Sequence, residues 1–368
     1  MTLTVIQALP ALDHGGVERG TVDVARELVG RGHRSIVISA GGRLVQELTG
    51  TGSEHICLGI GNKSPLSLRH IPALRQIMRS REASLLHVRS RFPGWLAYLA
   101  WRGMNRARRP RFVTSVHGPY TVTPYSKVMT YGEQVIAISE FIRDYILTNY
   151  PNTDPARITV IPRGVSADKF PYNYQPPAPW RRHWFEQHPV LRGKFLITLP
   201  ARITRWKGQE DFLQIISSLK HDGIDVHGIM VGGPDPGRQA FFNEIKSRAV
   251  AMKLHSDISF TGHRDDVREI MSLSGMVLSL AREPEGFGRT ALEALSMGVP
   301  VIAYDHGGAR EVLQAIFPEG LVAANNPGAV IRQLKKYCQK RPVVPNKNPF
   351  TLQRMLDSTI SLYEKMVT

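Results

Sequence analysis

The chain has 368 residues, 42% apolar and 21% charged, the composition of an ordinary globular protein long enough for two cores. Lys and Arg number 47 against 31 Asp and Glu, a net charge of +16, so an anionic partner is expected: nucleic acid, anionic lipid or acidic glycan. No apolar run approaches the ~18–20 residues of a membrane span, and two cysteines, Cys57 and Cys338, exclude a disulfide framework.

The opening stretch, MTLTVIQALPAL, lacks a basic flank and runs into a glycine loop, which predicts a first strand over residues 4–9 rather than a signal peptide. A reduced, cytoplasmic compartment is the expectation. Further strands are predicted at 35–39, 55–58, 85–88, 112–116, 134–138 and 158–161, with helical patterns between them, among them 17–31 and 68–79. This alternation implies βαβ units and a mostly parallel sheet. Within it, FPGWLAYLAW spaces Trp95, Tyr98 and Trp101 three apart, ahead of Arg102, Arg106, Arg108, Arg109 and Arg111. Two readings stay open there, a core helix with a basic exit or a patch for an anionic membrane surface. Pro171, Pro176, Pro177 and Pro179 mark residues 171–192 as an interdomain linker. The alternation then restarts, with strands at 195–199, 226–231, 258–260, 276–280 and 299–303 and a last helix over 351–366. No zinc spacing, RNP-type aromatic motif or basic helix with heptads is visible, so no nucleic acid is expected as partner.

The densest chemistry lies in AREPEGFGRTALEALSMGVPVIAYDHGGAREV, residues 281–312. An apolar strand leads into a Glu, Pro and Gly turn, and a helix over 289–297 ends at Gly298. Gly286 and Gly288 allow close backbone approach, and the helix start behind them offers N–H groups to a phosphate. Glu285 and Glu293, acceptors only when ionised, suit hydroxyl-rich ligands at the two ends of one molecule. A nucleoside diphosphate sugar has that layout. Upstream, Arg202 and Lys207 leave another strand, with Gly208 opening a helix, and a guanidinium with an ammonium suits a diphosphate. Gly15-Gly16 open the first helix in a phosphate- or substrate-cradling position, without the G-x-G-x-x-G spacing of dinucleotide enzymes.

EGFGRTALEA followed by MGVPVIAYDHGGAREV resembles the E-x7-E signature of glycosyltransferase family 4, the retaining GT-B transferases. Arg202 to Gly208 are similar to that family's diphosphate clamp. Val231-Gly232-Gly233, Phe260-Thr261-Gly262, Asp13-His14-Gly15-Gly16-Val17-Glu18, Ser139 with Phe141 and Arg143, and Ile161-Pro162-Arg163-Gly164-Val165 fall in family order. The resemblance implies an α/β fold of GT-B type, two Rossmann-like doubly wound domains facing each other across a cleft. The expected division is 1–170 for an acceptor domain completed by helix 351–368, a linker at 171–192, and 193–350 for the donor domain. Three positions depart from the pattern: Arg163-Gly164-Val165-Ser166 lacks an Asp, His306 stands where a small residue is usual, and Ala201 replaces a Gly.

On this resemblance the donor site takes Gly15, Gly16, Arg202, Lys207, Glu285, Gly286, Phe287, Gly288, Arg289, Thr290 and Glu293. His117, Glu285, Arg202 and Lys207 are the expected catalytic set, with His117 beside the donor sugar. His87, Arg89 and Arg91 are expected on the acceptor side. The activity implied is a retaining, hexosyltransferase-type transfer from a nucleoside diphosphate sugar (UDP first, GDP or ADP as alternatives) to a glycan or lipid-linked acceptor. Lipopolysaccharide or another cell-surface polysaccharide is the expected context, at the inner face of the cytoplasmic membrane. No D-x-D motif follows a strand, so neither metal nor further cofactor is expected. The rival readings are a nucleotide-sugar epimerase or hydrolase, and a non-catalytic glycan-binding protein.

Overall fold

The computed structural model describes residues 2–13, 15–234, 237 and 239–368. His14, in the first glycine loop, lies outside the described residues. The chain divides into two compact units, residues 1–163 with 353–368, and residues 164–352.

The first unit is built on a seven-stranded sheet. Its strands are β1 (Thr4–Ala8), β2 (Arg34–Ser39), β3 (Glu54–Cys57), β4 (Leu85–Val88), β5 (Arg111–Val116), β6 (Gln134–Ala137) and β7 (Ile158–Val160). They pair in the order β3-β2-β1-β4-β5-β6-β7, every pair parallel. Connecting helices are α1 (Gly16–Gly30), α2 (Val45–Gly50), α3 (His70–Ser80), α4 (Arg91–Arg102) and α5 (Glu140–Asn149). All five residues of β1 are buried, as strands covered on both faces require. Leu74, Met78, Leu96 and Trp101 of α3 and α4 pack on Ile6, Ile36, Leu86 and Phe112.

The second unit carries α6 (Ala178–Gln187) and a six-stranded parallel sheet. In chain order it continues with β8 (Phe195–Pro200), α7 (Gln209–His221), β9 (Val226–Val231), α8 (Gln239–Ala251), β10 (Ile258–Gly262), α9 (Val267–Ser272) and β11 (Met276–Ser279). Then come α10 (Arg289–Ser296), β12 (Val301–Tyr304), α11 (Gly307–Ile316), β13 (Leu321–Val322) and α12 (Pro327–Gln339). The sheet order is β10-β9-β8-β11-β12-β13. The last helix, α13 (Leu352–Val367), belongs from residue 353 onward to the first unit.

Both sheets reverse their winding at one point, between β1 and β4 and between β8 and β11. Open α/β sheets hold ligands beyond the carboxyl ends of the strands at such a point. Four loops leave those ends, and they are the loops that carry Gly15-Gly16, Arg89 and Arg91, Arg202 to Gly208, and Glu285 to Gly288.

The linker expectation needs correction. Residues 171–192 are not a free linker: they belong to the second unit, and Trp184 of α6, 2% exposed, packs on Leu191, Leu196, Ile229 and Ile270. Trp180 stacks on it one helical turn back, ring centroids 5.5 Å apart and planes 8° from parallel. Burial of such a ring is worth about 3–5 kcal/mol. The unit boundary consequently falls at residue 163 rather than 170. The aromatic stripe of α4, in turn, faces inward. Trp101 is buried and donates to the Pro110 carbonyl, Tyr98 packs on Phe112 and Tyr131, and the Trp95 indole N–H reaches the Tyr125 carbonyl at 2.8 Å.

Candidate active site

In the second unit the site starts where β8 ends. The Gln209 amide donates to the Arg202 carbonyl at 2.9 Å, and the Lys207 N–H to the Thr204 carbonyl at 3.0 Å, closing the loop on itself. Gly208 caps α7 at φ 78°, and a Cβ there would lie 2.1 Å from the Leu280 carbonyl oxygen. Only glycine tolerates both conditions. The loop is thereby pressed onto the end of β11, which feeds Glu285. Lys207 Nζ contacts Glu285 Oε1 directly and lies 4.2 Å from the Trp206 ring centre. Burial, then the Arg202 guanidinium, pushes the Lys207 amine down to about 8, even with the Glu285 carboxylate in contact.

The loop from β11 to α10 is held at both ends. Arg282 forks onto Asp211 at 2.5 and 3.2 Å and reaches Glu210 at 2.8 Å, while the Tyr304 hydroxyl donates to Asp211 at 2.8 Å. At the other end the Gly308 N–H donates to the Glu285 carbonyl at 2.8 Å. A Cβ on Gly308 would come within 2.3 Å of Phe287 Cα, so the turn and the start of α11 touch backbone to backbone. The His306 ring donates from Nε2 to the Ala281 carbonyl at 2.8 Å, which ties the departing position noted in the sequence to the same turn.

Gly288, at φ 80°, precedes α10, whose start has no side-chain cap hydrogen bond. The first-turn amides, Arg289 and Thr290 included, have no intrahelical acceptor and stand at the positive end of the helix dipole. Glu293 lies one turn further on, accepts from Arg289 Nε at 2.9 Å, and has its carboxyl pushed up by burial against the pull of Arg289 and Lys169. The Phe287 side chain is buried and meets Phe350 edge-on. What Phe287 can offer a ligand is its backbone.

In the first unit, Gly15 has φ 132° and Gly16 opens α1, its carbonyl accepting from Arg163 Nη2 at 2.7 Å. His117 ends β5 with both ring nitrogens buried and, among the described residues, without a hydrogen-bond partner. Burial, then Arg163 and Arg89, holds it well below the usual histidine value, so it is neutral at physiological pH. A cavity of about 10 Å³ beside it, bounded also by His87, Arg89, Ser115 and Arg163, has room for one water.

Of the three residues expected on the acceptor side, two are enclosed and one is accessible. His87 is wholly buried, with Nδ1 2.5 Å from the Tyr363 hydroxyl and Nε2 2.7 Å from Ser115 Oγ. Arg89, 3% exposed, spends its fork on the Gln7 side-chain oxygen Oε1 at 2.7 and 3.0 Å. Both are enclosed in the layer behind the strand ends, where α13 covers them. Arg91 alone is half-exposed, lying over the rings of Tyr120 and Tyr125. The Arg282–Asp211–Tyr304 scaffold is missing from the sequence reading, since nothing local marks a guanidinium and a phenol 71 and 93 residues from their shared carboxylate.

The arrangement in the second unit offers a guanidinium, an amine and a helix start for a diphosphate, and two carboxylates for hydroxyls. Comparison with known proteins agrees with that chemistry. The profile of Glycosyltransferase Family 4 matches residues 14–169, and that of Glycosyl transferases group 1 matches residues 181–348. A solved glycosyltransferase from Rickettsia africae ESF-5 is 30% identical, with a TM-score of 0.85, over 100% of this chain and 99% of that one. HepE of Anabaena, solved with UDP-glucose, aligns at TM-score 0.79 and 16% identity over 99% of this chain and 100% of its own. Spore coat protein SA of Bacillus subtilis (strain 168) is 21% identical over 81% of this chain and 82% of that protein. No helix among the described residues is long and apolar enough to cross a membrane. The fold is GT-B, and the chain belongs to glycosyltransferase family 4, with a group 1 transferase domain in its second half.

Proposed function

We propose that this transferase moves a hexosyl group, with retention, from a nucleoside diphosphate sugar to a glycan or lipid-linked acceptor of a cell-surface polysaccharide such as lipopolysaccharide. The observation that carries the reading is the meeting of Lys207 and Glu285 from adjacent strand ends, with Arg202 beside them and the uncapped start of α10 behind. The amine rests on the carboxylate, and a diphosphate would take over the amine and free Glu285 for sugar hydroxyls. UDP is the first choice of nucleotide, because HepE of Anabaena, similar in fold, was solved with UDP-glucose.

Breaking the anomeric bond leaves charge on the departing phosphate. Arg202, Lys207 and the amides of residues 288–290 are already aimed where it develops, and such preset stabilisation is usually the largest catalytic contribution. Glu293 would hold the ribose hydroxyls. His117, neutral and short of partners, would be a hydrogen-bonding group for the sugar, and Gly15-Gly16 would let the chain pass close to the substrates. The exposed arginines between α4 and β5 suit an anionic membrane surface, which places the enzyme peripherally on the inner leaflet in this proposal.

Lys207→Ala and Glu285→Ala are each expected to cut transfer at least a hundredfold with little change in the thermal unfolding midpoint. Near-normal turnover in both variants would refute the assignment. Donor incubated alone is expected to yield neither an epimer nor free sugar.

A further inference from the structure

Of the connections between neighbouring strands of the first sheet, that from β5 to β6 has no α-helix, only a 3-10 turn at Ser126–Thr130. Along it a groove of about 770 Å³ stands open, within the size range of ligand sites. Its walls are Phe92 and Trp95 of α4, Val122, Tyr125 and Tyr131 of the connection, and Tyr150 just after α5. Val122 is 51% exposed, an apolar side chain turned to solvent beside five aromatic ones. Lys127 is the one charged residue lining the groove, and no carboxylate lines it. The groove continues to the carboxyl edge of the sheet through contacts. Arg91, just past β4, lies 5.4 Å from the Tyr125 ring centre and 4.7 Å from that of Tyr120, and the His117 N–H donates to the Tyr120 hydroxyl at 3.3 Å.

The geometry points to this groove as the seat of the acceptor's lipid: a hydrocarbon chain along the aromatic wall, with its phosphate on Lys127 and, at the sheet edge, Arg91. The assignment rests on the proposed lipid-linked acceptor and names the part of it that the first unit holds. Charge decides the class of occupant. A neutral hydrocarbon would bury Lys127 without a partner, which is unfavourable. A phosphate or sugar phosphate without a chain would leave the apolar wall in water. An amphiphile with an anionic head satisfies both.

The test is calorimetric titration of the full chain with hexyl, octyl and decyl phosphate below their micellar concentrations, with decanol and inorganic phosphate alongside. Affinity should rise about fourfold per buried methylene, so at least tenfold from hexyl to decyl. Decanol should bind at least tenfold more weakly than decyl phosphate, and inorganic phosphate should give no heat at this site. Val122→Glu, at an exposed position, should cost the chain dependence, and Lys127→Glu the advantage of the phosphate. Equal affinity across the series, or variants that bind like the parent, would overturn the assignment; so would a groove that takes up a soluble oligosaccharide or a peptide in preference. The donor site is followed separately, by the rise in unfolding temperature with UDP and UDP-sugars. Loss of that response in the parent would sink the transferase reading while the alkyl phosphates still bind. An intact donor response in both variants, with chain dependence absent from the parent, would sink only the groove.

Discussion

Burial, and then the Arg202 guanidinium, bring Lys207 down to about 8, within the range of ordinary assay buffers. Below that pH the free protein presents an ammonium to the donor diphosphate; above it the cation is progressively lost. Donor kcat/KM is therefore expected to be flat up to about pH 8 and then to fall toward tenfold per unit, while Lys207→Arg, with a cation at all accessible pH, removes the fall. A wild-type profile level to pH 10 would take Lys207 out of phosphate binding. Legibility at this scale followed locality. Glu285 and Lys207 stood out as candidates because each sits in a short glycine-marked turn beyond an apolar run, and Glu293 because it follows on the helix that such a turn opens. His87 and Arg89 were misplaced because the sequence locates a strand end but not the helix that covers it. That helix, α13, arrives from more than 260 residues away, with Tyr363 bonding His87 across 276 positions.

At the scale of elements, the strands were legible where an apolar run lay between turn signals, unbroken in β12 and interrupted by a single histidine in β4. β13 escaped because it has two residues, too few for any period. α6 escaped because its prolines were counted and not placed: Pro177 is the residue before the helix and Pro179 lies in its first turn, where a missing N–H breaks no hydrogen bond. The anchoring of the β11–α10 turn belongs to this scale as well. Asp211, 4% exposed, takes both the Arg282 fork and the Tyr304 hydroxyl. Asp211→Ala would leave a guanidinium and a phenol without their acceptor and free the segment that aims Glu285. The expectation is a loss of about 3 kcal/mol in denaturant unfolding and a donor KM raised at least tenfold, measured at a temperature where the variant stays folded. An unchanged KM would mean that Gly308 alone sets the turn.

For the molecule as a whole, the net charge of +16 has a visible concentration between α4 and β5, where Arg102, Arg106, Arg108 and Arg111 are exposed. The aromatic residues beside them in sequence are packed inward, and Arg109 lies 3.5 Å from the Trp101 ring centre. Vesicle binding through this region would consequently be electrostatic rather than insertional. Co-sedimentation with anionic liposomes is expected to drop severalfold on reversing Arg106, Arg108 and Arg109 to Glu, and to weaken likewise at high salt. Sedimentation unchanged by both would remove the membrane surface as a partner.

The return of α13 to the first unit also makes the two units unequal in what each needs to close. Residues 164–352 form one uninterrupted stretch and can close their core without residues 353–368. The first unit cannot: Met355 and Thr359 border the cavity beside His117, and Tyr363 seals His87, so its interior stays open until residues 353–368 return to it. Cutting residues 353–368 away would expose the hydrophobic interior of the first unit to chaperones while leaving the stretch of the second whole.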